Sequence, residues 1–208
     1  GDGITKENLK TVEGDFLKLL ENLNNIFEKR KFLFGNRPSI ADIGFSGPFF
    51  RHFALDPVPL EIIRQKAPYV LSWVSNLWNA RLSKINNDFE EGIPKDLEPL
   101  FREIGKVYLP YLSANVDAVK QNKTKFDFKF GNVFLKNARY SLYRVWCLKE
   151  LRDRYSKLEE KDKTQVEILL KEFGCWEPLW RDKNLPLMDN QEEELPFRAD
   201  RKMLGVNE

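Results

Sequence analysis

The sequence carries one histidine, His52, and two cysteines, Cys147 and Cys175. Nucleophilic catalysis needs a base beside its nucleophile, so any Ser-His-Asp or Cys-His assembly must run through His52. No serine sits in a G-x-S-x-G turn, and neither G-x-x-x-x-G-K-[ST] nor G-x-G-x-x-G occurs to cradle a phosphate. Carboxylates are abundant, but they fall in charged, helix-forming stretches where a solvated face is the ordinary reading. The cysteines are far apart and lack C-x-x-C spacing, so reduced, buried thiols are expected. No stretch has metal-ligand spacing, and a zinc site would have to recruit scattered carboxylates. The residues therefore assign no catalytic group and no metal to this chain.

Composition narrows the function classes further. A chain of 208 residues can bury a real core as one domain, or as one domain with an extension. Its net charge of +2 comes from interleaved acids and bases, which gives no support for a polyanion-binding protein. No apolar run approaches the roughly 20 residues that a membrane-spanning helix requires. The N-terminus has neither a signal-peptide core nor an Arg-rich transit pattern. A cytoplasmic location is the expectation, with an organelle, after removal of a targeting segment, as the alternative.

The elements that would position any chemistry are mainly helical. Residues 5 to about 31 read as one helix, with Leu9, Val12, Phe16, Leu19, Leu23 and Ile26 in a three-then-four stripe. A Leu-Phe-Gly link comes next, then Arg37-Pro-Ser-Ile-Ala-Asp-Ile43. Ser39 and Asp42 have the spacing of a capping box: each side chain can bond the other's backbone amide. Pro38 and Ile43 sit at the two ends of a hydrophobic staple. The helix so capped is predicted over 40–53 and is apolar nearly all round, so burial on most faces is expected. Gly44 and Gly47 are expected to let neighbouring helices approach closely, and Pro48 to kink the helix.

Beyond it, 55–59 reads as a turn and 60–66 as a short helix. Another helix opens at Pro68 and runs to about Lys84, with Val70, Leu71, Val74, Leu77 and Trp78 on one side. Residues 86–96 are polar and contain Gly92 and Pro94, the best candidate boundary. Asp96 is placed to cap a helix reaching Lys120, whose apolar face would be Phe101, Ile104, Val107, Tyr108, Leu112 and Val116, with a bend at Pro110.

From Lys123 the period changes to two. Phe126, Phe128 and Phe130 alternate with charged residues up to Gly131-Asn132, and Val133-Phe-Leu135 comes after, which reads as a β-hairpin. Aromatics interleaved with lysines could stack on single-stranded nucleic acid. With one short hairpin and no surrounding sheet, packing on the helices is the preferred reading. Two more helices, over 139–155 and 161–173, precede a tail with no periodicity; the first has Leu142, Val145, Trp146 and Leu151 inward. Trp176 and Trp180 suggest a tail that wraps over the bundle or docks a partner. The fold class is thus all-α, a helical bundle with a small β-hairpin and an irregular C-terminal tail. Its two parts are 1–121, the bundle, and 122–208, an extension packed on the same bundle.

The long helix, the Leu-Phe-Gly link and the Ser39–Asp42 cap together resemble the C-terminal helical domain of glutathione transferases. The likeness is most specific over about Asp15 to Ser83, where Ala67-Pro68 through Trp73 to Arg81 is similar to the family's next helix. It implies that Ser39 and Asp42 are folding residues, with the acidic one buried. It also implies that glutathione and its thiol-activating residue belong to a thioredoxin-like domain outside this chain. No cofactor is then expected here, and glutathione only if that domain is present. Expected partners are the chain's own upstream thioredoxin-like domain or another protein subunit, a homodimer included, with no membrane and no nucleic acid.

Two functions are consistent with this resemblance. In one, the chain supplies the hydrophobic-substrate side and subunit contacts of a transferase. In the other, it is a non-catalytic interaction scaffold. Phe49, Phe50, Arg51 and His52, at the end of the core helix, are the candidate substrate contacts. For Arg51 and His52 a cation pair favoured by the helix dipole is the competing reading.

Overall fold

A computed structural model describes residues 5–85 and 89–186. They form two compact units, Lys10–Phe101 on one hand, and residues 5–9 with 102–186 on the other. Both are built from helices, with a single two-stranded hairpin in the second among the described residues.

In the unit Lys10–Phe101, helix α1 spans Leu9–Phe27, α2 Ile40–Pro48, α3 Pro57–Lys66 and α4 Pro68–Trp78. The stripe on α1 delivers Leu20, Leu23, Ile26 and Phe27 to a core completed by Phe49, Ile63, Val70 and Trp73. Phe27 stacks on Trp73 at 4.8 Å, and Phe49 meets the same indole edge-on at 5.3 Å. Helix α1 is shorter than the apolar period suggests, and its first stripe residue, Leu9, is exposed. Helix α3 begins inside the expected turn, because Pro57 occupies a first-turn position that needs no amide donor. Helix α4 stops at Trp78, well before Lys84, and a separate 3₁₀ turn covers Leu82–Lys84.

Two expectations for α2 fail. It is not buried on most faces: Ile40 is 71% and Ile43 62% exposed, so no buried staple closes on Ile43. Nothing lies within 4 Å of where a side chain would project from Gly44 or Gly47, so no neighbouring helix uses those glycines. Its hydrophobicity reflects an open face as well as a core face. At Pro48 the missing amide interrupts the α ladder, and Phe49–Phe53 continues as a π-helical turn closed by Ala54 N–H donating to Phe49 O at 2.9 Å.

Helix α5 is Glu98–Glu103 and runs across the boundary between the units; in the second unit a π turn covers Ile104–Tyr108, and α6 is Leu109–Lys120 with Pro110 in its first turn. The π turn inserts an extra residue and rotates the apolar register. Gly105, Leu109, Leu112 and Val116 are therefore buried, while Ile104 and Tyr108, expected on the inner face, are exposed. Gly105 has no space for a larger residue: an added Cβ would lie 2.7 Å from the carbonyl oxygen of Gly174.

Strands β1 (Lys125–Phe130) and β2 (Val133–Arg139) pair antiparallel around Gly131-Asn132, as the alternation requires. Their phenylalanines pack on α6: Phe126 and Phe128 lie 5.6 and 5.2 Å from the Tyr111 ring. Helices α7 (Leu142–Ser156) and α8 (Glu160–Glu172) come next, the latter closed at Gly174 in the left-handed region, φ 70°. Leu148, not Leu151, joins Val145 on the inner side of α7.

The expected irregularity after Cys175 begins too early. Trp176–Trp180 forms a one-turn helix, α9, with Pro178 in the first turn, where its missing donor costs nothing. The acidic run Glu192–Glu194 and the rest of the tail lie outside the described residues, as do residues 86–88 of the candidate boundary. The compact units also differ from the segments 1–121 and 122–208, since α6 packs with the hairpin and α7.

Candidate functional site

The best-defined polar constellation is the cap of α2. Ser39 adopts an extended backbone and begins the helix. Its hydroxyl accepts from the Asp42 amide at 3.4 Å and donates to Asp42 Oδ2 at 2.6 Å. The Ser39 amide donates to the same oxygen at 2.8 Å. The other carboxylate oxygen, Oδ1, accepts from the Leu33 amide at 2.9 Å and from Trp73 Nε1 at 3.0 Å. Asp42 is 0% exposed, so its charge is carried by these four donors rather than by water or a cation. Both carboxylate oxygens are thus engaged from within the fold. Such a carboxylate ties the link before α2, the start of α2 and the middle of α4 together; it is positioned to fold the chain, not to transfer a proton.

Sequence reasoning found Ser39 and Asp42 but missed the indole donor. A Trp whose ring is needed in the core must also satisfy its N–H, and the buried carboxylate is the acceptor that does so. It missed equally the pair beside it. Arg30 donates to both oxygens of Asp96, at 2.9 and 2.7 Å, and its Nε donates to Leu33 O at 2.9 Å. Asp96 is thus an ion-pair partner of Arg30, not a helix cap; the turn in which it sits has no side-chain cap. The Arg30 hydrogen bonds hold its carboxyl below the ordinary carboxylate range.

The four residues at the end of the core helix do not converge. Phe49 is 1% exposed and belongs to the core. Phe50 is half-buried and meets Trp78 edge-on at 5.3 Å. Arg51 and His52 are exposed, and His52 Nδ1 lies 3.7 Å from an oxygen of Asp56. Instead, Ile40, Ile43, Gly44, Gly47 and Phe50 succeed one another at helical spacing and lead to Trp78, itself 73% exposed. An apolar stripe with two glycines at its centre is therefore open on this unit.

In the second unit, Trp176 and Trp180 are half-buried in an aromatic cluster. Tyr155 meets them at 5.3 and 5.6 Å, and the Arg152 guanidinium lies 5.4 Å over Trp180. Burial pushes the Cys147 and Cys175 thiols up, away from the reactive thiolate. A groove of about 490 Å³ runs between α6 and β1, lined by Ala114, Asp117 and Ala118 on one side and Lys125 and Phe126 on the other. Among the described residues no three His, Cys, Asp or Glu side chains gather to hold a metal. Among the same residues no helix is long and apolar enough to cross a membrane.

An all-α unit whose second helix is locked by a buried capping-box aspartate is the class that this geometry defines. Residues 4–80 match the family described as glutathione S-transferase, C-terminal domain, and this part of the chain is similar to that domain. No curated protein and no solved structure matches the chain.

Proposed function

We propose that the chain supplies the helical half of a glutathione transferase-type protein. It would contribute the hydrophobic-substrate side and subunit contacts, while glutathione is held and activated by a thioredoxin-like domain outside these residues. The observation that carries this reading is the open stripe from Ile40 to Trp78, which begins on the helix capped by Ser39 and Asp42 and lies within the residues that match the family. Exposed side chains of this size, grouped along one face around two glycines, are what a second protein surface or an apolar ligand covers.

The competing function is a scaffold without catalysis, in which the stripe seats another protein. It is favoured by the divergence of Phe49, Phe50, Arg51 and His52, which build no common pocket wall. The two separate cleanly when this chain is produced together with whatever the reading frame encodes upstream. Retention on immobilised glutathione and conjugation of a model aryl electrophile are expected for the transferase. Loss of conjugation in Ile43→Glu, with the melting temperature kept, would place the stripe beside the substrate. A longer protein that neither binds glutathione nor conjugates would leave the scaffold.

A further inference from the structure

The groove between α6 and β1 lies within the second unit and carries both signs of charge. One of its acids is already neutralised: Asp117 accepts from Arg181 Nη2 at 2.8 Å. The other is held in place without being neutralised. Asp127 Oδ1 accepts from the Asn137 amide at 2.8 Å, and no cation among the described residues pairs with this carboxylate. Asn137 takes φ 54°, in the left-handed region, at the bulge where two residues of β2 oppose Asp127 alone. A strained position in β2 thus fixes a bare carboxylate at the groove wall. The last turn of α6 ends in the same groove, and the negative end of that helix adds to the preference for a cation.

A place for an anion lies next to it. Lys123 and Lys125 line the groove, are exposed, and pair with no carboxylate among the described residues. Lys125 and Asp127 are two apart on β1, so they project from one face with Cα atoms about 6.6 Å apart. An ammonium group and a carboxylate carried on one carbon atom, each reached by a hydrogen bond of about 2.8 Å, span such a gap. A lone anion would face Asp127, and a lone cation would face the two lysines; a zwitterion meets an opposite charge at both ends. Ala114 and Ala118 on α6 and Phe126 on β1 make the rest of the wall apolar. The volume of about 490 Å³ is in the range of small-molecule sites.

We propose that the α6–β1 groove is a site for a free α-amino acid with an apolar side chain. Its ammonium group donates to Asp127, its carboxylate accepts from Lys125 and Lys123, and its side chain lies against Ala114, Ala118 and Phe126. The site uses none of the residues of the Ile40–Trp78 stripe and stands whether or not the transferase reading does.

The test titrates the full-length, isotope-labelled chain with L-leucine and follows its amide resonances. Leucine at up to about 20 mM should shift the Asp127 and Asn137 amides and leave the start of α2 unmoved. N-acetyl-leucine lacks the cation and leucine amide lacks the anion, so each should bind roughly tenfold more weakly. Two variants assign the ends. Asp127→Asn can still accept from the Asn137 amide, which keeps the bulge; it should bind leucine roughly tenfold more weakly and no better than N-acetyl-leucine. Lys123→Gln/Lys125→Gln should lose the preference for leucine over leucine amide. Both variants should melt as the wild type does, since all three side chains are exposed. Unshifted Asp127 and Asn137 amides in the leucine titration would overturn the site. Equal affinity for leucine and either capped form would overturn the zwitterion as its ligand. Wild-type affinity for leucine in Asp127→Asn would leave the carboxylate no part in binding, and the assignment would fall.

Discussion

Two helix starts in this molecule solve one problem in different ways. Ser39 opens α2 and Ser141 opens α7; both have extended backbones, and both must be held in place. Ser39 is held by Asp42, three residues ahead in its own helix. Position 144, the equivalent residue of α7, is Arg, which has no acceptor to reach back with; it donates instead to Arg139 O at 2.8 Å. Ser141 is held from a distance. Asn115, in the middle of α6 and fully buried, accepts from the Ser141 amide at 2.8 Å and donates to the Ser141 carbonyl at 2.9 Å. A local cap needs only donors, so a carboxylate serves. A clamp on both backbone groups of one residue needs an acceptor and a donor, so a carboxamide serves where an ionised carboxylate cannot.

The largest effects should come from breaking the first device. Asp42→Ala leaves the Leu33 amide, the Trp73 indole and the Ser39 donors facing a void, and should cost about 3–5 kcal/mol, the usual scale for a buried charge network that loses its centre. Urea unfolding measures the loss, and amide exchange should rise first at Leu33 and at the start of α2. Asp42→Asn sharpens the point: it keeps the shape but turns an NH₂ toward groups that already donate, and should fall between alanine and wild type. A change under about 1 kcal/mol for Asp42→Ala would mean that the site is solvated and the lock unimportant.

Breaking the second device should cost less. Asn115→Ala strands one donor and one acceptor, for about 2 kcal/mol. The informative variant is Asn115→Asp, which retains the acceptor but presents a carboxylate to the Ser141 carbonyl. It should be no better than alanine at neutral pH and recover as the solution is made acidic, when the protonated carboxyl can donate. Equal stability of Asn115→Asp and wild type at pH 7 would show that the two devices are chemically interchangeable, contrary to the geometry.

The same contrast explains what could be read from the sequence. The Ser39–Asp42 cap, the hairpin around Gly131-Asn132 and the stop at Gly174 are encoded by neighbours in the chain, and each was legible. Asn115 was not, because its partner is 26 residues away and nothing near an asparagine in mid-helix announces it. Register was the other blind spot. An apolar period of 3.6 assumes an uninterrupted α-helix, and the π turns beside Pro48 and Pro110 shift the phase of the helix around them. Ile104 and Tyr108 were misplaced for that reason. The four candidate contacts diverge for a related reason. Phe49 to His52 are adjacent in sequence, and adjacency on a helix sends side chains to different sides, one into the core and two into solvent.

A third device sits beside the first and should give the smallest effect. Leu33 is pinned on both sides: its amide donates to Asp42 and its carbonyl accepts from Arg30, which is itself fixed by Asp96. In the folded chain the Asp96 carboxyl titrates below its unfolded value, chiefly because Arg30 hydrogen-bonds its charged form. A depressed carboxyl contributes stability above its unfolded pKa, near 4, and loses that contribution as pH falls through the folded value. Asp96→Asn should therefore be less stable than wild type by about 1 kcal/mol at pH 7, a modest figure because water reaches part of the pair. The deficit should shrink as the pH is lowered from about 4 and vanish once both forms are protonated or uncharged at that position. If wild type and Asp96→Asn instead run parallel through the acid range, the Arg30 pair contributes nothing. Leu33 would then be held by the buried aspartate alone.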